Sequence, residues 1–135
     1  MISKKRPPVL TRAESQVMAA LWETGPATVR ALQAALRRPL AYTTVLTLLR
    51  VLEDKGYVRH VAAADGGRAF VYSPAVTRRS ARRQHARDLV TRMFGGHAPA
   101  LVSGLIEDED LSTDELRALR QLIDGKLARN QEKEG

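Results

Sequence analysis

The chain has 135 residues, 44% of them apolar, with 22 Lys/Arg against 15 Asp/Glu for a net charge of +7, and no cysteine. That length allows one or two small domains with limited core, so association into a dimer is a natural source of further buried area. The lack of cysteine excludes a disulfide framework, thiol chemistry and a thiolate metal site; no run approaches the ~20 apolar residues of a membrane span, and the polar start MISKKRPP lacks the apolar stretch of a secretory leader, so a cytoplasmic protein is expected.

Charge is unevenly spread. Residues 1–97 carry 17 basic against 6 acidic side chains, whereas residues 98–135 carry 5 against 9. A basic front and an acidic back suit one face built for a polyanion and another kept away from it. A generically basic soluble protein is the plain alternative.

Residues 1–8 form a flexible basic arm on this reading. Thr11 and Glu14 make a T-x-x-E capping box that opens a first helix. Val17, Met18, Leu21 and Trp22 are its apolar stripe, and Gly25-Pro26 stops it. Thr28 caps a short second helix with Val29, Leu32 and Leu36 inward, broken at Arg37-Arg38-Pro39. A third helix is expected from Tyr42 to Lys55, with Val45, Leu48, Leu49 and Leu52 on its buried side and Gly56 as a left-handed stop. Next, YVRHVAA and RAFVYSP, joined through Asp65-Gly66-Gly67, give a hairpin signal. Three helices and then a hairpin, over residues 9–74, is the order of a winged helix-turn-helix, a DNA-binding architecture.

After Pro74 the pattern changes. Residues 76–94 predict a helix with Ala81, Ala86, Leu89, Val90 and Met93 toward one side, stopped by Gly95-Gly96. Residues 98–107 predict a short apolar helix. Ser112 and Glu115 form a second capping box before a last helix bearing Leu116, Leu119, Leu122, Ile123 and Leu127. Such helices close a poor core alone and make better sense as an intertwined dimer module. The expected fold is therefore mainly α with a small β-hairpin: an N-terminal winged helix-turn-helix and a C-terminal three-helix dimerisation region over residues 76–130. Its interface residues are expected to be Leu89, Met93, Leu101, Leu105, Leu116, Leu119 and Ile123.

The third helix opens with Tyr42, Thr43 and Thr44, then Thr47 and Arg50. At a major-groove entrance these polar groups could read base edges, while Arg50 suits phosphate. Threonine is a mediocre helix former, an odd choice for a purely structural face, although an ordinary exposed face is the alternative. Arg68 beside the predicted turn and Arg59 on the wing strand could meet DNA backbone, or be solvated charges. Lys4, Lys5 and Arg6 could add phosphate contacts from the arm. The run Arg78, Arg79, Arg82, Arg83 and Arg87 suits a solvated face or acidic neighbours, with DNA contact as the alternative.

His60, His85 and His97 are scattered without ligand spacing, so no metal is expected. The glycine pairs are a turn and a stop rather than a phosphate loop, and Glu107–Asp110 suits an exposed acidic linker. No cofactor and no enzyme activity are expected. A winged helix used only as a protein–protein module remains an open alternative to DNA binding.

From about Leu10 to Leu127 the chain resembles the penicillinase repressor (BlaI/MecI) family of bacterial winged-helix repressors. The resemblance rests on LTRAESQVMAALW, on AYTTVLTLLRVLEDKGYV, on RAFVYSP and, most distinctively, on MFGGHAPALVSGLIEDEDLSTDELRALRQLI. It implies a homodimer on a palindromic stretch of double-stranded operator DNA, upstream of antibiotic-resistance or stress genes. It also implies relief of repression when a membrane-bound sensor's metalloprotease arm leads to a cut in the dimer region. By position that junction falls at Gly104–Leu105; members known to be cut carry an Asn-Phe pair there, and this sequence does not. The copper-responsive branch uses C-terminal cysteines, so copper sensing is not expected.

Overall fold

The structure, a computed structural model, describes residues 9–63, 67, 69–108 and 110–135. Those residues hold six helices and one two-stranded sheet, and the chain divides into two compact units that meet between Asp88 and Leu89.

In the first unit, α1 (Arg12–Thr24), α2 (Val29–Ala35) and α3 (Tyr42–Asp54) precede the antiparallel pair β1 (Val58–Ala62) and β2 (Phe70–Pro74). The expected capping box opens α1: the Thr11 hydroxyl accepts from the Glu14 amide at 3.2 Å, and the Glu14 carboxylate accepts from the Thr11 amide at 2.8 Å. That carboxylate also takes the Lys55 ammonium at 2.6 Å, tying the head of α1 to the end of α3. Burial pushes the Glu14 carboxyl up, but the bonds and charge from Lys55 and Thr11 outweigh it and hold it below the ordinary value of 4.5.

The core follows from the 3.6-residue period of the helices. Val17, Met18 and Leu21 of α1, Leu32 of α2, and Val45, Leu49 and Leu52 of α3 are all fully buried, with Tyr57 beside them. Strand residues alternate faces, and the register pairs His60 with Tyr72 and Ala62 with Phe70. Those four share one face of the hairpin, and Tyr72 sinks into the core. Arg59, Val61, Val71 and Ser73 share the other.

One further pairing has no signature in the sequence. The Ala27 amide donates to the Tyr72 carbonyl at 2.9 Å and the Tyr72 amide returns a bond of 2.8 Å, so the entry to α2 pairs with β2. A lone bridge has no periodicity, and Gly25-Pro26 marks only a stop. The bridge fastens the wing to the head of α2.

At the far end of α3, Gly56 adopts φ +88°. Its amide donates to Glu53 O and the Tyr57 amide to Leu52 O, the paired bonds of a Schellman turn, with Tyr57 and Leu52 both buried. Nothing lies within 4 Å of where a Cβ at Gly56 would sit, so a side chain there meets strain rather than a clash. Gly56→Ala is therefore expected to cost about 1–2 kcal/mol in denaturant unfolding. An unchanged midpoint would mean that this turn is not held left-handed.

The fourth helix, α4 (Arg78–Met93), starts on a hydroxyl cap from Thr77. Its front half packs within the first unit. Trp22 Nε1 donates to Val76 O at 3.0 Å, Ala81 is buried, and the Leu10 amide donates to His85 Nε2 at 2.9 Å. Since Nε2 accepts, His85 carries its proton on Nδ1, which donates to Ala81 O at 2.7 Å. The compact division thus falls inside α4, beyond the change of pattern at Pro74.

In the second unit, Gly95 and Gly96 stop α4 at φ +56° and +83°. There follow α5 (Ala98–Glu107) and α6 (Thr113–Glu134), the latter opened by the Ser112–Glu115 capping box. The last helix runs 22 residues and passes the expected limit at 130. Neither α5 nor α6 has a buried residue. Among the described residues, no helix is long and apolar enough to cross a membrane.

Candidate nucleic-acid interface

The two sides of α3 are sharply different. Its back is sealed in the core through Val45, Leu49 and Leu52, while Tyr42, Thr43, Thr44, Thr47 and Arg50 are exposed. Thr43, Thr47 and Arg50 stand four and then three residues apart, which places them on one stripe. At its start Ala41 offers no side-chain cap, so the first amides of α3 are open to an outside acceptor.

Thr47 is more constrained than its sequence suggests. Its hydroxyl donates to Thr43 O at 2.9 Å. With that proton committed, Thr47 has a methyl group and an acceptor lone pair left for a base edge. Such a group can touch a thymine methyl or accept from a base amino group.

Arg30 also belongs beside this stripe, although little in its sequence context marks it. This residue of α2 places its guanidinium 5.5 Å from the centre of the Tyr42 ring, a cation–π contact beside the exposed stripe. Its signal was weak: Arg30 stands two residues after the cap Thr28, on the side of α2 that periodicity leaves polar. His60 has no ligand-spaced neighbour in sequence, but its Nδ1 meets both Glu53 oxygens at 2.8 Å, and its ring lies 4.6 Å from that of Phe70. These contacts tie the wing to α3.

Other candidates are not gathered at this stripe. Arg59 is exposed, but on the hairpin face opposite His60. Arg68 lies outside the described residues, as do Lys4, Lys5 and Arg6 and the turn residues Asp65 and Gly66. In the basic run, Arg78 stacks over Trp22 at 5.7 Å and reaches Ala19 O at 3.5 Å, so it takes part in packing. Arg79, Arg82, Arg83 and Arg87 are exposed. His97 sits at the start of α5. Among the described residues, no three His, Asp or Glu side chains stand close enough to hold a metal ion.

In the second unit, Leu89, Met93, Leu105, Leu116 and Ile123 are exposed large apolar side chains, while Leu101 and Leu119 are half-buried. Gly104 and Leu105 lie inside α5.

A family model described as penicillinase repressor matches residues 10–125. The chain is 25% identical to the penicillinase repressor of Bacillus licheniformis over 130 residues, covering 95% of this chain and 99% of that one. It is 24% identical to the methicillin resistance regulatory protein MecI of Mammaliicoccus sciuri over 119 residues, 87% of this chain and 94% of that one. Among solved structures, apo wild-type MarR of E. coli aligns with a TM-score of 0.50 at 20% identity, covering 87% of this chain and 78% of that one. A MarR mutant complexed with operator DNA also gives 0.50, at 19% identity, covering 87% and 76%. These two likenesses are of fold, the winged-helix arrangement followed by further helices.

Proposed function

We propose, since the chain belongs to the penicillinase repressor family, that it represses transcription as a homodimer bound to a palindromic operator. Its family and relatives are named as repressors and regulators, not as enzymes. The observation that carries this reading is α3, locked into the core on one side and presenting Tyr42, Thr43, Thr44, Thr47 and Arg50 on the other. In the major groove the tyrosine and threonines read bases, while Arg50, Arg59 and Arg68 hold phosphate.

The second unit joins two copies through Leu89, Met93, Leu101, Leu105, Leu116, Leu119 and Ile123. The regulated genes are antibiotic-resistance or stress genes, and the protein works in the cytoplasm. Repression ends when the dimer linkage is lost, whatever loosens or cuts the chain near Gly104–Leu105; a membrane sensor-protease pathway is one such agent, although the Asn-Phe pair of members known to be cut is absent here. Because that bond lies within α5, a protease must first open the helix to grasp an extended stretch.

The test is to recover the DNA fragments that the purified protein retains, and then to titrate it on them with salt. Log affinity should fall linearly with log salt, with a slope of about −0.9 per phosphate contacted. Arg50→Ala should weaken all sequences alike and flatten that slope by about one phosphate. Thr47→Ala should instead change preference at one base pair, by about 1–3 kcal/mol. Thr47→Val should keep most of that preference, since it retains the methyl group. Salt-insensitive retention, or equal weakening of every sequence by Thr47→Ala, overturns this reading.

A further inference from the structure

Between α3 and the wing lies a cavity of about 430 Å³, a size suited to a small organic ligand. Its walls include the rings of Tyr42 and Phe70, 42% and 49% exposed, and the guanidinium groups of Arg30 and Arg50. His60 lies beside Phe70 and is held there by both oxygens of Glu53. That hydrogen bonding fixes the carboxylate against the wing, and Arg50 makes no ion pair with it or with another acid among the described residues. The result is a groove with aromatic surface, two guanidinium groups against one carboxylate, and a side wall fixed by hydrogen bonds. A DNA phosphate would use a cation but leave the Phe70 ring unused. A planar ring bearing an acid group would use both, by stacking and by a charge-assisted bond to the guanidinium.

We propose that this groove binds a small planar aromatic anion, its ring against Phe70 and Tyr42 and its acid group on Arg50, and that the bound anion excludes operator DNA. The exclusion rests on the DNA-binding reading above, because Tyr42 and Arg50 belong to both sites. Binding of the anion does not depend on it. The ring could be that of a simple aromatic acid or of a nucleotide base, and two probes separate these sources.

The experiment titrates the full chain, without DNA, with 2-naphthoate and separately with guanosine monophosphate, followed by calorimetry. At least one is expected to bind with a Kd below ~1 mM. Phe70→Ala, an exposed position outside the DNA-reading set, should weaken that binding about tenfold while leaving operator affinity in the absence of ligand unchanged. Saturating probe should lower operator affinity in the unaltered chain and do so much less in Phe70→Ala. Preference for guanosine monophosphate would assign the site to nucleotides, and preference for 2-naphthoate to simple aromatic acids. Failure of both probes, or binding indifferent to Phe70→Ala, overturns the site. Binding that leaves operator affinity intact overturns the exclusion. A chain that takes the probe but never retains DNA would refute the repressor reading and leave the ligand site standing.

Discussion

A chain carrying Leu119→Asp together with Ile123→Asp should sediment as a monomer and lose operator affinity by about 100-fold or more. Leu116, Leu119 and Ile123 recur along α6 at spacings of three and four, which sets them on one side of the helix. None is buried in the single chain, and α5 likewise buries nothing. Leu116 and Ile123 face water beside the half-buried Leu119, and on the proposed dimer this side of α6 is the one that is covered. Two aspartates in the covered interface would leave unpaired charges in a desolvated place, at several kcal/mol before relaxation. The winged helix itself would be unaltered, so each half-site contact would keep its own strength. What is lost is the local concentration that the first contact confers on the second, and that factor alone accounts for the expected fall. A double variant that still sediments as a dimer and binds as before would place the interface elsewhere.

The second large effect is expected from Leu49→Ala. Leu49 is completely buried on the back of α3, between Val45 and Leu52 on the same side. Removing three carbons from a packed interior costs the lost transfer energy and the residual cavity, about 2–5 kcal/mol together. A small domain has about 5–15 kcal/mol in total, so the denaturant midpoint should drop steeply and DNA binding should fail on mild warming. Thr47→Ala, on the opposite side of the same helix, should leave the midpoint nearly unchanged while altering base preference. Loss of stability and loss of recognition are thereby separated within two residues. An unchanged midpoint for Leu49→Ala would contradict the packing of α3 against the core.

Much of this architecture is legible in the residues because local chemistry and tertiary position agree. Thr11 with Glu14, and Ser112 with Glu115, announce helix starts that the structure contains, and Gly56 ends α3 where a left-handed residue is needed. The stripe Val45, Leu49 and Leu52 shows which side of α3 is inward, and so which side offers Tyr42 through Arg50. The features that escaped are made by residues distant in the chain. Ala27 meets Tyr72 across the fold, Glu53 catches His60 from another element, and Arg30 finds Tyr42 only when α2 and α3 are set side by side. None of these pairs has a spacing rule. The half of α4 that joins the first unit was hidden for the same reason, since Ala81 and His85 fit a helix stripe of either allegiance. Thr47 marks the middle ground: its place on the stripe follows from counting, but the commitment of its proton to Thr43 does not.

The helix starts of the first unit differ in one respect that bears on binding. Thr11, Thr28 and Thr77 close the starts of α1, α2 and α4, whereas α3 begins on Ala41 with nothing in that role. Its other end is secured twice, by the Gly56 turn and by the Glu14–Lys55 pair. The helix is thus tied down at its far end, while the amides of its first turn, where Tyr42, Thr43 and Thr44 stand, have no side-chain acceptor. On the proposed binding mode, a backbone phosphate oxygen seated at those amides supplies the missing acceptor. Docking on the operator and closure of that helix start then become a single event, the open donors of α3 being met only when the right partner is in place.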